Sequence, residues 1–477
     1  MTDEYQRENN ELIEGFLERT FYSGWRDPEN ERLANFRGLE LMMNYRCNLS
    51  CKYCYVAKHG EELYPSDLYK DEDNLMRNLD LVIDWVLENE FKPKLEFFSG
   101  EALVQPIGFK ALNRILDRLG GHVPLLVIPT NYTFLLNDDL VEQVEGLIEK
   151  AKTVGTRLGL SASVDGKLIE SNRPFLGKID HEKTYADEST RWHWAYNDML
   201  DPRDDAYYEK FFKFQKKHGF GFHPMIYNEQ IEKWVDNFLW FQDKFKKYDL
   251  PWWNIYLLEV RNVEWTIQQC KEFAKFMKFL VKWLYDGPAA KSQKTWINLV
   301  FDRRGFNILS NPLSRTGRGM GCSFQSDLYL RLGSLDLVPC HRTSYKQFVL
   351  GKYVVKDGRI DHFKVRNPEL FISGISTDAK NWPYCEQCMI RDLCSQGCQG
   401  AQVETTGDLY TPFPTMCRME HAKIKGLVEG LIECDLLELV CNRIADEKAV
   451  QLRLVAEMIQ NPKKEEKKKE KKKFEWI

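Results

Sequence analysis

Apolar and polar positions switch between two periods along the first 300 residues. Short apolar runs read as strands: LELMMN (39–44), KLEFF (94–98), PLLVIP (124–129), RLGLSASV (157–164), GFHPMIY (221–227) and WNIYLLEV (253–260). A helical pattern follows each. In NLMRNLDLVIDWVLEN, Leu75, Leu79, Val82, Ile83 and Val86 fall on one face. The same spacing recurs in GFKALNRILDRL, DDLVEQVEGLIEKA, AYYEKFFKFQKK, IEKWVDNFLWFQDKF and TIQQCKEFAKFMKFLVKWL. Six strand-then-helix units predict an α/β chain with a parallel sheet covered by helices. Ligands of such sheets sit at the carboxyl ends of the strands, so chemistry is expected in the loops that follow them.

Two stretches depart from this rhythm. Residues 167–207, rich in Trp, Tyr, Asp and Arg, exceed a minimal crossover and read either as a substrate-facing lid or as an irregular surface excursion. Beyond about residue 300, strands shorten while Gly and Cys become frequent, as in RTGRGMGCSF and SQGCQG. That composition suits a second domain held by cofactors more than by a large core. A helix is expected near 419–444. The chain ends in NPKKEEKKKEKKKFEWI, which reads as a solvated charged tail.

Bulk composition narrows the function classes. A chain of 477 residues needs more than one core. Formal charge is −4, from 67 basic and 71 acidic residues, so neither nucleic acid nor an anionic membrane is an expected partner. The first twenty residues are too polar for a signal peptide and no apolar run approaches eighteen residues, so a cytoplasmic location is expected. Thirteen cysteines in a reducing compartment point to metal or cluster ligation ahead of disulfides.

The stretch NYRCNLSCKYCY places Cys47, Cys51 and Cys54 at C-x3-C-x2-C directly after the first strand. Three thiolates on so short a loop can serve one small site but leave one corner open. A fully ligated structural zinc or iron–sulfur centre takes four protein ligands. The bland alternatives are a zinc site that borrows a distant ligand, or unrelated core cysteines.

This motif resembles that of the radical S-adenosylmethionine (SAM) superfamily, and the likeness extends downstream. In that family three cysteines hold a [4Fe–4S] cluster whose open iron binds the amino and carboxylate groups of SAM; one-electron reduction then yields methionine and a 5′-deoxyadenosyl radical that abstracts substrate hydrogen. Ser99-Gly100-Glu101 follows the second strand where the family has Gly-Gly-Glu, which implies a contact with SAM's amino group. Gly100 permits close backbone approach and Glu101 supplies an acceptor for a cationic amine. Thr130 and Asn131, in PTNYT, resemble a family Thr-Asn-Gly turn with Tyr132 in the Gly position. Ser161, Ser163 and Asp165, in SASVDG, resemble the segment that faces the SAM ribose or the substrate, although Asp-Gly after a strand is also an ordinary turn. The fifth and sixth strand ends offer His223, Met225, Asn254 and Glu259 with no motif to assign them roles.

The later cysteines, Cys322, Cys340, Cys385, Cys388, Cys394, Cys398 and Cys417, resemble the SPASM extension of peptide-modifying radical SAM enzymes. The family often has Gly five positions before the second of these, where this chain has Leu335. The resemblance implies two auxiliary [4Fe–4S] clusters, one on Cys385, Cys388, Cys394 and Cys417, the other on Cys322, Cys340 and Cys398 with an iron left open. Cys270, Cys434 and Cys441 lie on expected helices and read as core thiols.

The expected fold is therefore a partial (β/α)6 radical SAM barrel over 39–300, after a lead-in of 1–38. A SPASM domain over 301–425, a C-terminal helical segment over 426–460 and a tail over 461–477 complete it. The expected cofactors are three [4Fe–4S] clusters, one of them SAM-binding, and SAM itself. The resemblance implies an enzyme that modifies a peptide or protein, foremost by maturation of a ribosomally made peptide through crosslinking, epimerisation or backbone excision. An anaerobic sulfatase maturase is the alternative, and a non-catalytic zinc-bound interaction protein the reading from another class. Implied partners are the peptide substrate and an electron donor such as flavodoxin or ferredoxin. Only 38 residues precede the first strand, too few for an N-terminal leader-recognition domain, so a separate recognition protein or the barrel surface is expected to serve.

Overall fold

A computed structural model describes residues 38–63, 66–175, 201–287, 292–301, 305–313, 327–367, 383–394, 398–409 and 411–461. The lead-in 1–37, most of the long insertion, Cys322 and the charged tail from 462 lie outside the described residues.

Two compact units emerge, each drawn from separate stretches of chain. The first comprises Met1–Val164, Ile169–Gly221 and Ser323–Ser376. Its centre is a parallel run of four strands, β1 (Gly38–Met42), β2 (Lys94–Phe98), β3 (Leu125–Thr130) and β4 (Arg157–Ala162), close to the expected bounds. The connecting helices are α1 (Tyr55–Leu63), α2 (Glu72–Glu88), α3 (Pro106–Leu119) and α4 (Asp138–Thr153), with α5 (Asp205–His218) after β4. Their starts carry local signals. Asp71, Asn137 and Asp204 each accept a hydrogen bond from a backbone N–H in the first turn of α2, α4 and α5, and Pro106 opens α3.

The sheet then grows in a direction that period alone did not indicate. β7 (Asp327–Arg331) pairs in parallel with the free side of β1, matching Gly38 to Asp327 and Met42 to Arg331. β8 (Asp336–Val338), β9 (Gly351–Lys356) and β10 (Arg359–Val365) continue as antiparallel neighbours, giving the order β10-β9-β8-β7-β1-β2-β3-β4. All five residues of β1 are buried, as a strand with neighbours on both sides and both faces covered should be. A stretch that the sequence assigns to the cysteine-rich domain thus completes the sheet that begins at β1.

Two positions adopt a left-handed, Gly-type backbone without a glycine. Leu335 sits at φ +56° in the β7–β8 turn and Tyr132 at φ +63° after β3. Left-handed conformation costs a non-Gly residue about 1–2 kcal/mol. Both side chains are buried, and the Tyr132 ring packs against Phe134, Phe211 and Phe214.

The second unit comprises Asp165–Leu168, Phe222–Cys322 and Thr377–Ile477. A two-stranded parallel sheet joins β5 (Met225–Ile226) to β6 (Leu258–Glu259), the shortened fifth and sixth expected strands. Its helices include α6 (Trp234–Lys247), α7 (Ile267–Asp286), α8 (Pro414–Glu433) and α9 (Asp446–Gln460). Close approach of α8 to α7 requires Gly426, where a β-carbon would stand 2.1 Å from the Ala274 carbonyl oxygen. Cys270, Cys434 and Cys441 are buried in this unit. Among the described residues, no helix is long and apolar enough to cross a membrane.

Candidate active site

The loop after β1 carries Cys47, Cys51 and Cys54 and is held by backbone hydrogen bonds. Ser50 N–H donates to the Pro174 carbonyl (2.8 Å) and Lys52 N–H to the Asn172 carbonyl (3.0 Å). Side chains tie the same loop to the end of β3. Asn131 Nδ2 donates to Asn48 Oδ1 at 2.8 Å, Asn48 Nδ2 to Thr133 Oγ1 at 2.6 Å, and Thr133 Oγ1 to Asn131 Oδ1 at 2.7 Å. Asn131 Nδ2 also lies 3.8 Å from the Cys47 sulfur.

The end of β2 packs directly on this loop. Gly100 N–H donates to the Asn44 carbonyl and Glu101 N–H to the Arg46 carbonyl, at 3.0 and 2.8 Å. A β-carbon on residue 100 would lie 2.1 Å from the Arg46 oxygen, so only Gly fits there. Ser99, by contrast, is accommodated by polar partners. Its hydroxyl donates to Asn44 Oδ1 (2.8 Å) and accepts from Gln105 Nε2 (3.4 Å), while that amide also donates to the Arg46 and Glu101 carbonyls.

Glu101 is buried, and burial pushes its carboxyl up to about 7 despite three donors that oppose the shift. Those donors are Asn131 N–H on Oε2 (2.5 Å), Thr130 Oγ1 on Oε1 (2.8 Å) and Leu103 N–H on Oε1 (3.2 Å). None of the three is cationic, so an incoming ammonium group would restore the charged form.

These groups share one cavity of about 720 Å³ at the carboxyl ends of β1–β4. Cys47, Cys51, Cys54, Ser99, Gly100, Glu101, Thr130, Asn131 and Ser163 all line it. Arg173, which no motif flagged, lines it too, with its guanidinium over the Tyr53 ring at 5.2 Å. Burial pushes the Cys54 thiol up, while the Arg173 and Arg342 charges oppose that rise. Cys47 is pushed well up by burial, then by Cys51 and Glu101. A donor set of mutually repelling, desolvated thiols fits a positively charged iron–sulfur core. Among the described residues no three His, Cys, Asp or Glu side chains are gathered to hold a single metal ion.

Ser161 and Asp165 are not among the residues that line this cavity. Ser161 sits inside β4, in register with Pro129. Asp165 belongs to the second unit, fully buried; its carboxylate accepts from Met225 N–H (2.9 Å) and its carbonyl from Asn237 Nδ2 (3.0 Å). A further set of ionisable side chains lies on β1, β2 and after β8 in the first unit. Glu40 and Glu96 are register partners on β1 and β2, and Glu40 lies 3.0 Å from His341 Nδ1. Burial and then Glu40 push Glu96 up to about 7.

The auxiliary cysteines divide between the units. Cys340 is buried in the first, at the end of the β7–β8 hairpin. In the second unit, Cys385, Cys388 and Cys394 lie on the 383–394 loop, Cys398 precedes the helix Gln399–Thr406, and Cys417 sits in the first turn of α8. Burial, and then the charges of Cys385 and Cys388, push the Cys417 thiol up to about 12. His421, one turn along α8, places Nε2 3.7 Å from the Cys388 sulfur.

No family model matches the chain. A 156-residue stretch is 23% identical to radical SAM cyclopropyl synthase TigE of Paramaledivibacter caminithermalis, covering 28% of this chain. The match takes in 32% of that protein, so the chain spans about a third of the length of the curated relative it matches. Among solved structures, histidine-tagged anSMEcpe with bound AdoMet superposes over 87% of this chain and 98% of its own, at a TM-score of 0.51 and 16% identity. Native anSMEcpe with bound AdoMet covers 85% and 100%, with a TM-score of 0.50 and 15% identity. The chain shares the fold of anSMEcpe. The cavity at the ends of β1–β4 lies where strand-end loops gather. Neither Arg173 nor Gln105 carries any sequence signal, whereas Asn48 and Thr133 stand beside recognised motifs, where a search for supporting polar groups would start.

Proposed function

We propose that this chain is a radical SAM enzyme that modifies a peptide substrate. The observation that carries the reading is the single cavity that brings Cys47, Cys51 and Cys54 together with Gly100, Glu101, Thr130, Asn131 and Ser163. Cys47, Cys51 and Cys54 would hold a [4Fe–4S] cluster, and Glu101 would accept the ammonium group of SAM. Bound together, cluster and SAM supply a carbon-centred oxidant that removes hydrogen from the substrate.

The chain's own residues do the rest. Gly100 lets the end of β2 close on the cysteine loop, and the Asn48–Asn131–Thr133 triangle fixes that loop relative to β3. Arg173 presents a cation to an anionic group beside Cys54. Two further [4Fe–4S] clusters are assigned to Cys385, Cys388, Cys394 and Cys417, and to Cys322, Cys340 and Cys398. They would exchange electrons with the site and with a flavodoxin- or ferredoxin-like donor.

Maturation of a ribosomally made peptide is the preferred role, with ring formation the first outcome to test because the matched relative is named a cyclopropyl synthase. Anaerobic isolation and assay decide the matter. Brown protein with about twelve irons per chain, cleaving SAM to 5′-deoxyadenosine under reduction, is expected. Replacing Cys47, Cys51 and Cys54 by Ala should abolish that cleavage; persistent cleavage would overturn the site. Colourless protein holding zinc without sulfide would favour a non-catalytic interaction role, and conversion of a sulfatase Ser or Cys to formylglycine would favour sulfatase maturation.

A further inference from the structure

We infer that His421 donates a hydrogen bond to the sulfur of Cys388 and thereby sets the reduction potential of the auxiliary cluster that Cys388 helps to hold. The inference rests on the reading of Cys388 as a cluster ligand. No motif picks out His421, since it lies between the recognised cysteines and the end of the chain in an ordinary amphipathic helix.

Position on α8 places it. Cys417 and His421 are four residues apart, so their side chains rise from one face of the helix. Cys388 approaches that face from the 383–394 loop, where its N–H donates to the Cys385 carbonyl at 3.1 Å and its carbonyl accepts from Arg391 N–H at 3.2 Å. The turn aims the Cys388 sulfur at α8, and the imidazole Nε2 stands 3.7 Å from it. A nitrogen–sulfur separation of that length is within hydrogen-bond reach because sulfur is large, and in the tautomer that carries its proton on Nε2 the imidazole is the donor.

The electronic consequence has a definite sign. A ligating thiolate carries more negative charge when its cluster is reduced. A donor aimed at that sulfur therefore stabilises the reduced state more than the oxidised one and raises the potential. Half-burial strengthens the effect, since water does not screen it fully. His421 acts through Cys388, as a positioning and tuning residue outside the catalytic group.

The test uses the full chain with Cys47, Cys51 and Cys54 replaced by Ala, so that only auxiliary clusters contribute to the spectrum. In this parent, His421→Ala and His421→Leu remove the donor, and His421→Gln retains an N–H. Redox titration followed by electron paramagnetic resonance is expected to show one auxiliary signal shifted to lower potential in the Ala and Leu variants. The Gln variant should lie nearer the parent, and iron per chain should stay constant throughout. Unchanged potentials with full iron content overturn the assignment alone. Loss of about four irons from all three variants also overturns it, because His421 would then be a ligand or a structural prop. A parent free of iron and sulfide overturns the cluster reading and this inference together.

Discussion

Gly100 lies so close to Arg46 that a β-carbon would stand 2.1 Å from the Arg46 carbonyl oxygen. The contact joins the end of β2 to the cysteine loop, and both neighbouring N–H groups, of Gly100 and Glu101, bond onto that loop. Gly100→Ala must therefore push Glu101 and the loop apart. Displacement of about 1 Å in a positioning element costs roughly 100-fold in rate. SAM cleavage by the variant should fall by that order with iron content retained; wild-type turnover in the Ala variant would show that the contact is dispensable.

Glu101 must be ionised to accept an ammonium group. Burial holds its carboxyl near 7, far above an exposed glutamate. SAM affinity should then rise with pH up to about 7 and level off above it, weakening about tenfold per unit on the acid side. Glu101→Gln should bind weakly with a flat profile. Calorimetric titration of cluster-loaded protein from mildly acidic to mildly alkaline pH checks both, and a sloped profile in the Gln variant would assign the dependence to another group.

Tyr132 sets two effects against each other. Changing it to Gly relieves about 1–2 kcal/mol of left-handed strain. It also removes a fully buried ring packed on Phe134, Phe211 and Phe214, a loss of about 3–5 kcal/mol. Packing wins, so Tyr132→Gly should destabilise by roughly 2–3 kcal/mol. Urea unfolding measures it; a stabilised variant would mean that strain dominates and the aromatic cluster contributes little.

Lys423 sits between two acids in the second unit, 2.9 Å from Glu259 and 2.7 Å from Glu420, all three buried. Lys423→Met strands that negative charge with Arg261 as the remaining partner, and should cost roughly 3 kcal/mol. Burial raises the Glu259 carboxyl, but Lys423 and then Arg261 overcome this and hold it well below the usual carboxylate range. Its folded value being depressed, the stabilisation is complete at neutral pH and lost as pH falls below that range. The gap between wild type and variant should therefore narrow in acid; a gap that widens would reverse the assigned sign.

Periodicity made much of the first unit legible. Alternation and helical spacing marked β1–β4 and α2–α5 closely, because each signal lies within one element. Cysteine spacing marked the loop after β1, and Ser99-Gly100-Glu101 marked the end of β2, because short motifs keep their ligands together on one turn. The fifth and sixth strands came out as two-residue pairs flanked by a Phe222–Ile255 bridge, since Pro224 between them has no N–H to give to the ladder.

What the chain determined by itself is thus local: strand, helix and cap positions, and which thiols and carboxylates are close in sequence. Tertiary structure decided the pairing of Asp327 with Gly38, the triangle of Asn48, Asn131 and Thr133, and the arrival of Arg173 in the cavity. It also decided that Asp165 is taken up by the Met225 backbone and that His421 meets Cys388. Such contacts join residues tens to hundreds of positions apart. Hydrogen-bond partners at that separation impose no period on the chain, so only folding brings them to light.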